Sequence, residues 1–284
     1  MRKQITKLAL TATIALAITF TFTACDEKKK QDGTTPTPTE TEAAAETQKA
    51  TQEAALPPTQ EAAATTFTDP RDNKTYKTVK IGEQVWMAEN LNFEAKGSMC
   101  NGELERVYDE ASEDYIYKPS KGSPDKIQAT CQKYGRLYEW ETAMKACPSG
   151  WHLPSNAEWD KLLHYVDSTT NGTKSPYNES IYESKTAGKY LKAKSGWEDD
   201  FRGRLGEAKV NGIDKYGFSA LPGGNIGAHQ GNYDHVGYNG LWWSSSEGLG
   251  LGSAHYYRKM IYYEEGVYSG FEYSCLLSVR CIKD

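Results

Sequence analysis

From Asp26 to Thr66 the chain has no aromatic residue, and Leu56 is its only large aliphatic one. A stretch so poor in apolar groups cannot bury enough surface to offset the entropy of ordering it. It is built of Thr, Glu, Ala, Gln and Pro, and Thr51-Gln52-Glu53-Ala54-Ala55 recurs as Thr59-Gln60-Glu61-Ala62-Ala63. This composition predicts a solvated tether, and its Thr and Pro would also suit O-glycosylation. A basic balance is missing too. The net charge is -5 and the pI about 5.7, so no nucleic acid is expected as a partner. Beyond the start of the chain no apolar run reaches the roughly 18 residues a membrane-spanning helix needs. EF-hand, Walker A and G-x-S-x-G patterns are absent, so calcium-loop, P-loop and serine-hydrolase chemistry have no sequence support.

What is present begins with an address. Arg2, Lys3 and Lys7 precede an uncharged run from Leu8 to Ala24, which ends Thr23-Ala24-Cys25. The segment resembles the bacterial lipoprotein signal class, with Phe22 a slight departure where that pattern more often has Leu. This predicts a signal peptide over 1–24 and lipid on Cys25, with a tether over 25–66. An ordinary secretory peptide cleaved after Ala24, or a short anchor, is the alternative. Two or three acyl chains hold a protein stably at a membrane where one does not.

All 7 Trp and all 19 Tyr lie beyond residue 66, so the folded domain is read as 67–284, one large unit. Residues 76–81 alternate with period two, Gly82-Glu83 can turn, and 84–88 run back, which predicts a hairpin. Residues 94–130 are polar and read as a long loop. Residues 135–146 have helical spacing and end at Pro148-Ser149-Gly150. Ser155 and Glu158 fit a capping box, followed by Trp159, Leu162, Leu163 and Val166 on one stripe. A third helix is read over 186–192, and strands over 218–221, 241–244, 254–263, 266–271 and 276–282. Helices set among sequential strands predict an α+β fold on an antiparallel sheet.

Several of these segments carry a known pattern. They are Tyr76 to Gly82, Gln84 to Leu91, Lys133-Tyr134-Gly135-Arg136-Leu137-Tyr138, and Ala146 to Pro154. Gly217 to Gly224, Trp242-Trp243-Ser244-Ser245-Ser246-Glu247 and Ser278-Val279-Arg280-Cys281 follow. In this order they resemble the Fibrobacter succinogenes major paralogous domain, from about Phe67 to the C-terminus. That family is more distantly similar to the C-type-lectin-like fold shared with formylglycine-generating enzymes. The resemblance implies two main helices packed on a twisted antiparallel sheet with long loops, on a protein that is often an exported lipoprotein.

With Cys25 assigned to lipid, five cysteines remain: Cys100, Cys131, Cys147, Cys275 and Cys281. An exported location permits disulfides. In lectin-like folds a bridge joins the regions of Cys147 and Cys281, so the resemblance implies that pair; Cys100–Cys131 would then staple the long loop, leaving Cys275 free or otherwise paired. Formylglycine-generating enzymes bind copper through two C-terminal cysteines five apart. Here Cys275 and Cys281 are six apart, roughly 20 Å on a straight strand, so a shared metal would need a turn between them.

His152, His164, His229, His235 and His255 are scattered, and a polar loop that happens to contain His229 and His235 is preferred to a metal site there. Glu198-Asp199-Asp200 and Glu264-Glu265 read as exposed turns rather than paired carboxylates. The Glu-Pro-Asn or Gln-Pro-Asp triplet of calcium-dependent lectins is absent, so a fold likeness does not carry calcium over. The loop 223–240 draws most interest. Asn225, His229, Asn232, Tyr233, Asp234, His235, Tyr238 and Asn239 combine aromatic faces with amides and a carboxylate, as a glycan site would. Packing of the loop by its own tyrosines is the competing reading. Trp151, Trp159, Trp242 and Trp243 are expected in the core.

The expectation is a cell-envelope lipoprotein displaying a non-catalytic binding module, with polysaccharide or a surface protein as partner and the membrane reached through lipid. Catalytic residues, metal and cofactor are expected to be none. A copper-dependent oxidase-like enzyme and an envelope scaffold are the alternatives. Asp26 directly after Cys25 suits inner-membrane retention under one sorting rule, whereas acidic residues there favour surface export in other phyla. The family resemblance points to the second group, hence the outer membrane and its outer face.

Overall fold

A computed structural model of the chain describes residues 65–111, 114–167, 173–175, 178–198, 211–227, 236–248 and 254–284. Cys25, the signal and the tether through 64 lie outside them. The first described element is β1 (Thr65–Thr68), and the expected hairpin follows as β2 (Thr75–Ile81) and β3 (Gln84–Met87). Its turn is Gly82-Glu83, with Gly82 at φ 61°, a left-handed conformation suited to glycine. Then come β4 (Ser98–Met99), β5 (Leu104–Asp109), β6 (Asp114–Pro119), α1 (Pro124–Tyr134), β7 (Leu137–Tyr138), α2 (Trp140–Ala146) and β8 (Trp151–His152). α3 (Asn156–Val166), β9 (Thr173–Ser175), β10 (Asn178–Glu183) and α4 (Ala187–Leu191) complete the middle of the chain. The C-terminal part is strand: β11 (Ile226–Gly227), β12 (Asn239–Glu247), β13 (His255–Ile261), β14 (Tyr268–Glu272), β15 (Cys275–Ser278) and β16 (Ile282–Lys283).

Two larger sheets result. One runs β1-β2-β3-β16-β8, antiparallel throughout; the other runs β14-β13-β12-β15-β7-β4, with β11 paired to β15. The second is antiparallel except at β12 and β15, which pair in parallel. The fold is a sheet-rich α+β arrangement, as the order of elements predicts.

Four local expectations need correction. Residues 94–130 are not one loop. They hold β4, the β5–β6 hairpin and α1. α1 carries few apolar groups, yet Ile127, Cys131 and Tyr134 sit at i, i+4 and i+7, Pro124 occupies the first turn and Gly135 ends it at φ 79°. Leu137 and Tyr138 are not helical but form β7, because both are buried between β15 and β4. The strand expected over 218–221 does not form: Gly217 and Ser219 take φ 71° and 52°, which breaks an extended run. The strand expected over 276–282 is interrupted. β15 ends in one sheet and β16 begins in the other, with Val279-Arg280-Cys281 crossing between them.

α3 forms as its sequence dictates. Ser155 caps it, Glu158 closes the capping box, and Trp159, Leu162, Leu163 and Val166 are all buried. Trp86, Trp159 and Phe218 meet at centroid distances of 4.9, 5.7 and 6.1 Å, at the heart of one apolar cluster. A second cluster holds Met87, Leu91, Tyr138 and Trp243. Successive side chains on a strand face opposite ways, so Trp242 enters the first cluster and Trp243 the second. All four tryptophans expected in the core are buried there.

Candidate functional site

The motif segments converge on one buried hub. Arg280 is fully buried and its Nη1 donates to the carbonyls of Phe218 (2.6 Å) and Met87 (3.2 Å). Its Nε and Nη2 donate to Asn90 Oδ1 at 3.1 and 2.7 Å. The same oxygen accepts Trp242 Nε1 (2.9 Å), and Asn90 Nδ2 donates to the Tyr134 carbonyl (2.8 Å). The Phe218 ring lies 4.6 Å from the guanidinium carbon. Burial lowers the Arg280 pKa to about 9, with only a weak opposing pull from Glu89 and Asp214, so the cation persists at neutral pH. Carbonyl and amide dipoles hold this charge in place of a carboxylate. Gly135 presses on the hub. A Cβ there would sit 2.8 Å from Asn90 Cβ and from the Leu91 carbonyl. Sequence reasoning missed this hub, although every member sits in a segment that carries the family pattern. Its chemistry is structural, since Arg280 has no route to solvent.

The cysteines divide as the resemblance implies. Cys100 is bonded to Cys131 and Cys147 to Cys281, while Cys275 is a buried free thiol. Burial pushes the Cys275 pKa far up, with Glu272 adding to it, so the thiol stays protonated. Cys281 therefore offers no thiolate for a metal shared with Cys275.

The described histidines do not converge. His152 is clasped between Asp284 (Nδ1 to Oδ1, 2.6 Å) and Glu158 (Nε2 to Oε1, 2.7 Å). Burial alone would lower its pKa, but the bonds to the two carboxylates outweigh that and raise it. His164 lies against the Tyr182 ring, and His255 stacks on Trp140 at 3.5 Å. Among the described residues no group of three or more His, Cys, Asp or Glu could hold a metal. Glu265 pairs with Lys189 at 3.1 Å, and the Glu264 carbonyl accepts from Lys192 at 2.7 Å, so both acids belong to the β13–β14 turn. Asp199 and Asp200 lie outside the described residues.

Of the eight loop residues expected to bind ligand, His229, Asn232, Tyr233, Asp234 and His235 lie outside the described residues. Asn225, Tyr238 and Asn239 stand at the foot of the loop. Gly224 N donates to the Asn239 carbonyl (2.8 Å), and Gly237 N to that of Pro222 (2.9 Å), so both ends are pinned together. The Tyr238 ring sits edge-on to Tyr262 at 5.2 Å, and Tyr262 to the exposed Tyr263 at 4.9 Å. At its foot, then, this loop uses one of its tyrosines in packing.

Next to the point where this loop leaves the body is a polar cleft of about 400 Å³. Residues 74–76, Glu89, Asn90 and Asn92 line it together with Gln128, Gln132 and Lys133 of α1, Gly135 and Leu221. Two of its lining residues, Asn90 and Gly135, belong to the hub. Asn92 is positioned through its backbone: its N–H donates to Tyr76 Oη (3.1 Å) and its carbonyl accepts from Lys74 Nζ. Its side-chain amide, and those of Gln128 and Gln132, have no partner among the described residues. Glu89 accepts the Lys77 N–H on Oε2 (2.8 Å). The cleft can exchange hydrogen bonds with a neutral polar ligand, and holds neither a nucleophile paired with a base nor a metal-binding set.

A family model described as the Fibrobacter succinogenes major domain matches residues 79–283. No curated protein and no solved structure matches the chain.

Proposed function

The chain belongs to the Fibrobacter succinogenes major domain family, and from that premise we propose that it is a lipid-anchored cell-envelope protein displaying a non-catalytic binding module for glycan or cell-wall polymer. The single observation carrying the binding reading is the amide-lined cleft beside the loop 223–240. Its volume falls at the low end of the roughly 300–1,000 Å³ typical of small-ligand sites. The two disulfides suit an oxidising compartment outside the cytoplasm, which agrees with an exported chain. The start of the sequence, from Arg2 to Cys25, supports lipidation, and the aromatic-free stretch after it supports a tether. A C-type-lectin-like fold, with ligand contacts made by its long loops, is the finer structural reading, and the outer face of the outer membrane is the proposed location.

Metabolic labelling with a palmitate analogue tests the anchor. Label is expected on the full chain and is lost in Cys25→Ser. A glycan array probed with the full chain in mild detergent tests the module. Binding to at least one polysaccharide class is expected. Uniform absence of binding, with the lipid present, would instead leave an envelope scaffold.

A further inference from the structure

The two disulfides sit in unlike surroundings. Cys281 is fully buried in the second apolar cluster, on the segment that crosses between the two larger sheets. Among the described residues no side-chain donor reaches its sulfur or that of Cys147. Attack at the half-buried Cys147 would expel Cys281 as a thiolate into that cluster, which burial opposes. Cys100, by contrast, has a cation on its sulfur. Arg136 Nη1 lies 3.4 Å from Cys100 Sγ, while Nε and Nη2 donate to Ser98 Oγ (3.0 Å) and the Ser98 carbonyl (3.2 Å). A guanidinium beside a sulfur favours the thiolate, and a stabilised thiolate is the better leaving group in disulfide exchange. The segment that this bond closes is also loosely attached. Among the described residues β5 and β6 pair only with each other, and of the 11 residues of α1 only Cys131 and Tyr134 are buried. Neither a lone hairpin nor so short a helix is stable by itself.

We propose that Cys100–Cys131 is a thiol-sensitive latch: a dithiol reductant opens it while Cys147–Cys281 stays closed, and α1 loosens together with the Gln128, Gln132 and Lys133 that it contributes to the cleft. Local opening of α1 exposes Cys131 Sγ. One reductant thiol, its proton lost to water, attacks that sulfur as a thiolate. A bond forms between them, and the Cys100–Cys131 bond breaks with its electron pair on Cys100, facing Arg136. The second reductant thiol then attacks the reductant sulfur bonded to Cys131 and gives its proton to the departing Cys131. The reductant leaves as a cyclic disulfide, oxidised by the two electrons the protein has gained. The latch is independent of what the cleft binds, so its test does not read binding.

The native full chain is titrated with dithiothreitol, free thiols are alkylated, and each cysteine is read by mass spectrometry, with hydrogen exchange on the same samples. Cys100 and Cys131 should be labelled at about tenfold less reductant than Cys147 and Cys281. The amides of α1 should then exchange at least about tenfold faster, while those of α3 are unchanged. Arg136→Met separates the charge on Cys100 from the support that Arg136 gives Ser98. Loss of the charge should slow reduction of Cys100–Cys131 roughly threefold or more, and Arg136→Lys should restore most of the rate. Loss of support alone would loosen α1 and speed the reaction instead. Simultaneous or reversed opening of the two bonds, protection of α1 that survives reduction, or an Arg136→Met chain reduced as fast as the parent or faster would overturn the latch.

Discussion

The buried cation at the hub makes a sharp test of how this fold is held. Replacing Asn90 by Leu removes the one side-chain acceptor of Arg280, which receives both Nε and Nη2. It also strips the partner from Trp242 Nε1 and from the Tyr134 carbonyl. Arg280 keeps the carbonyls of Met87 and Phe218, but no carboxylate lies within contact to stabilise it. Breaking a buried charge from its partner costs about 3–5 kcal/mol, a large share of the roughly 5–15 kcal/mol that holds an ordinary domain. Guanidinium unfolding followed by tryptophan fluorescence reads this directly, since Trp86, Trp159 and Trp242 share the adjoining cluster. The decisive measurement is the double variant Asn90→Leu/Arg280→Met. Removing the cation removes the uncompensated charge, so the double variant should be more stable than Asn90→Leu alone. A loss under about 1 kcal/mol in Asn90→Leu, or a double variant whose losses simply add, would refute the claim that the dipoles of Asn90 sustain Arg280.

Two further outcomes follow from the same physics. The Cys147–Cys281 bond closes a separation of 134 residues and Cys100–Cys131 one of 31, so chain entropy assigns them about 5 and about 3.5–4 kcal/mol. Cys147→Ala/Cys281→Ala should therefore lower the denaturant midpoint more than Cys100→Ala/Cys131→Ala, and the reverse order would contradict the loop-length argument. The His152 clasp predicts a pH dependence. Its folded pKa is raised, so its contribution is complete below the ordinary histidine value near 6.5 and disappears as pH rises through the raised value. Glu158, whose pKa is lowered against burial by its bonds to Ser155 and His152, loses its contribution as pH falls through the carboxylate range. Both side chains are partly exposed, so the effect should stay below about 1 kcal/mol. Unfolding of His152→Gln should show a flatter profile than the parent chain as pH rises above the ordinary histidine value of about 6.5.

Local chemistry made part of the fold legible. The capping box at Ser155 and the stripe from Trp159 to Val166 specify α3 within one short segment. Alternation around Gly82-Glu83 specifies the β2–β3 hairpin in the same way. α1 was harder to see because a disulfide and a helix cap, rather than a broad apolar face, hold it: only Cys131 and Tyr134 are buried. The cleft was illegible for another reason. Helical spacing relates Gln128 to Gln132, but no spacing rule connects either to Asn92 or to residues 74–76.

The sequence by itself determined that every Trp and Tyr lies beyond residue 66, so the side chains that fill the two apolar clusters all come from that part of the chain. It also determined the capped helix and the hairpin, whose signals are contained within a few residues. Only the tertiary structure decided that Val279-Arg280-Cys281 crosses between two sheets rather than continuing a strand. The reason is long-range: the carbonyls of Met87 and Phe218 and the amide of Asn90 offer Arg280 its hydrogen bonds, and Cys147 offers Cys281 its disulfide. Partners so distant along the chain leave no mark on local periodicity. They meet only in the folded core beside Trp242.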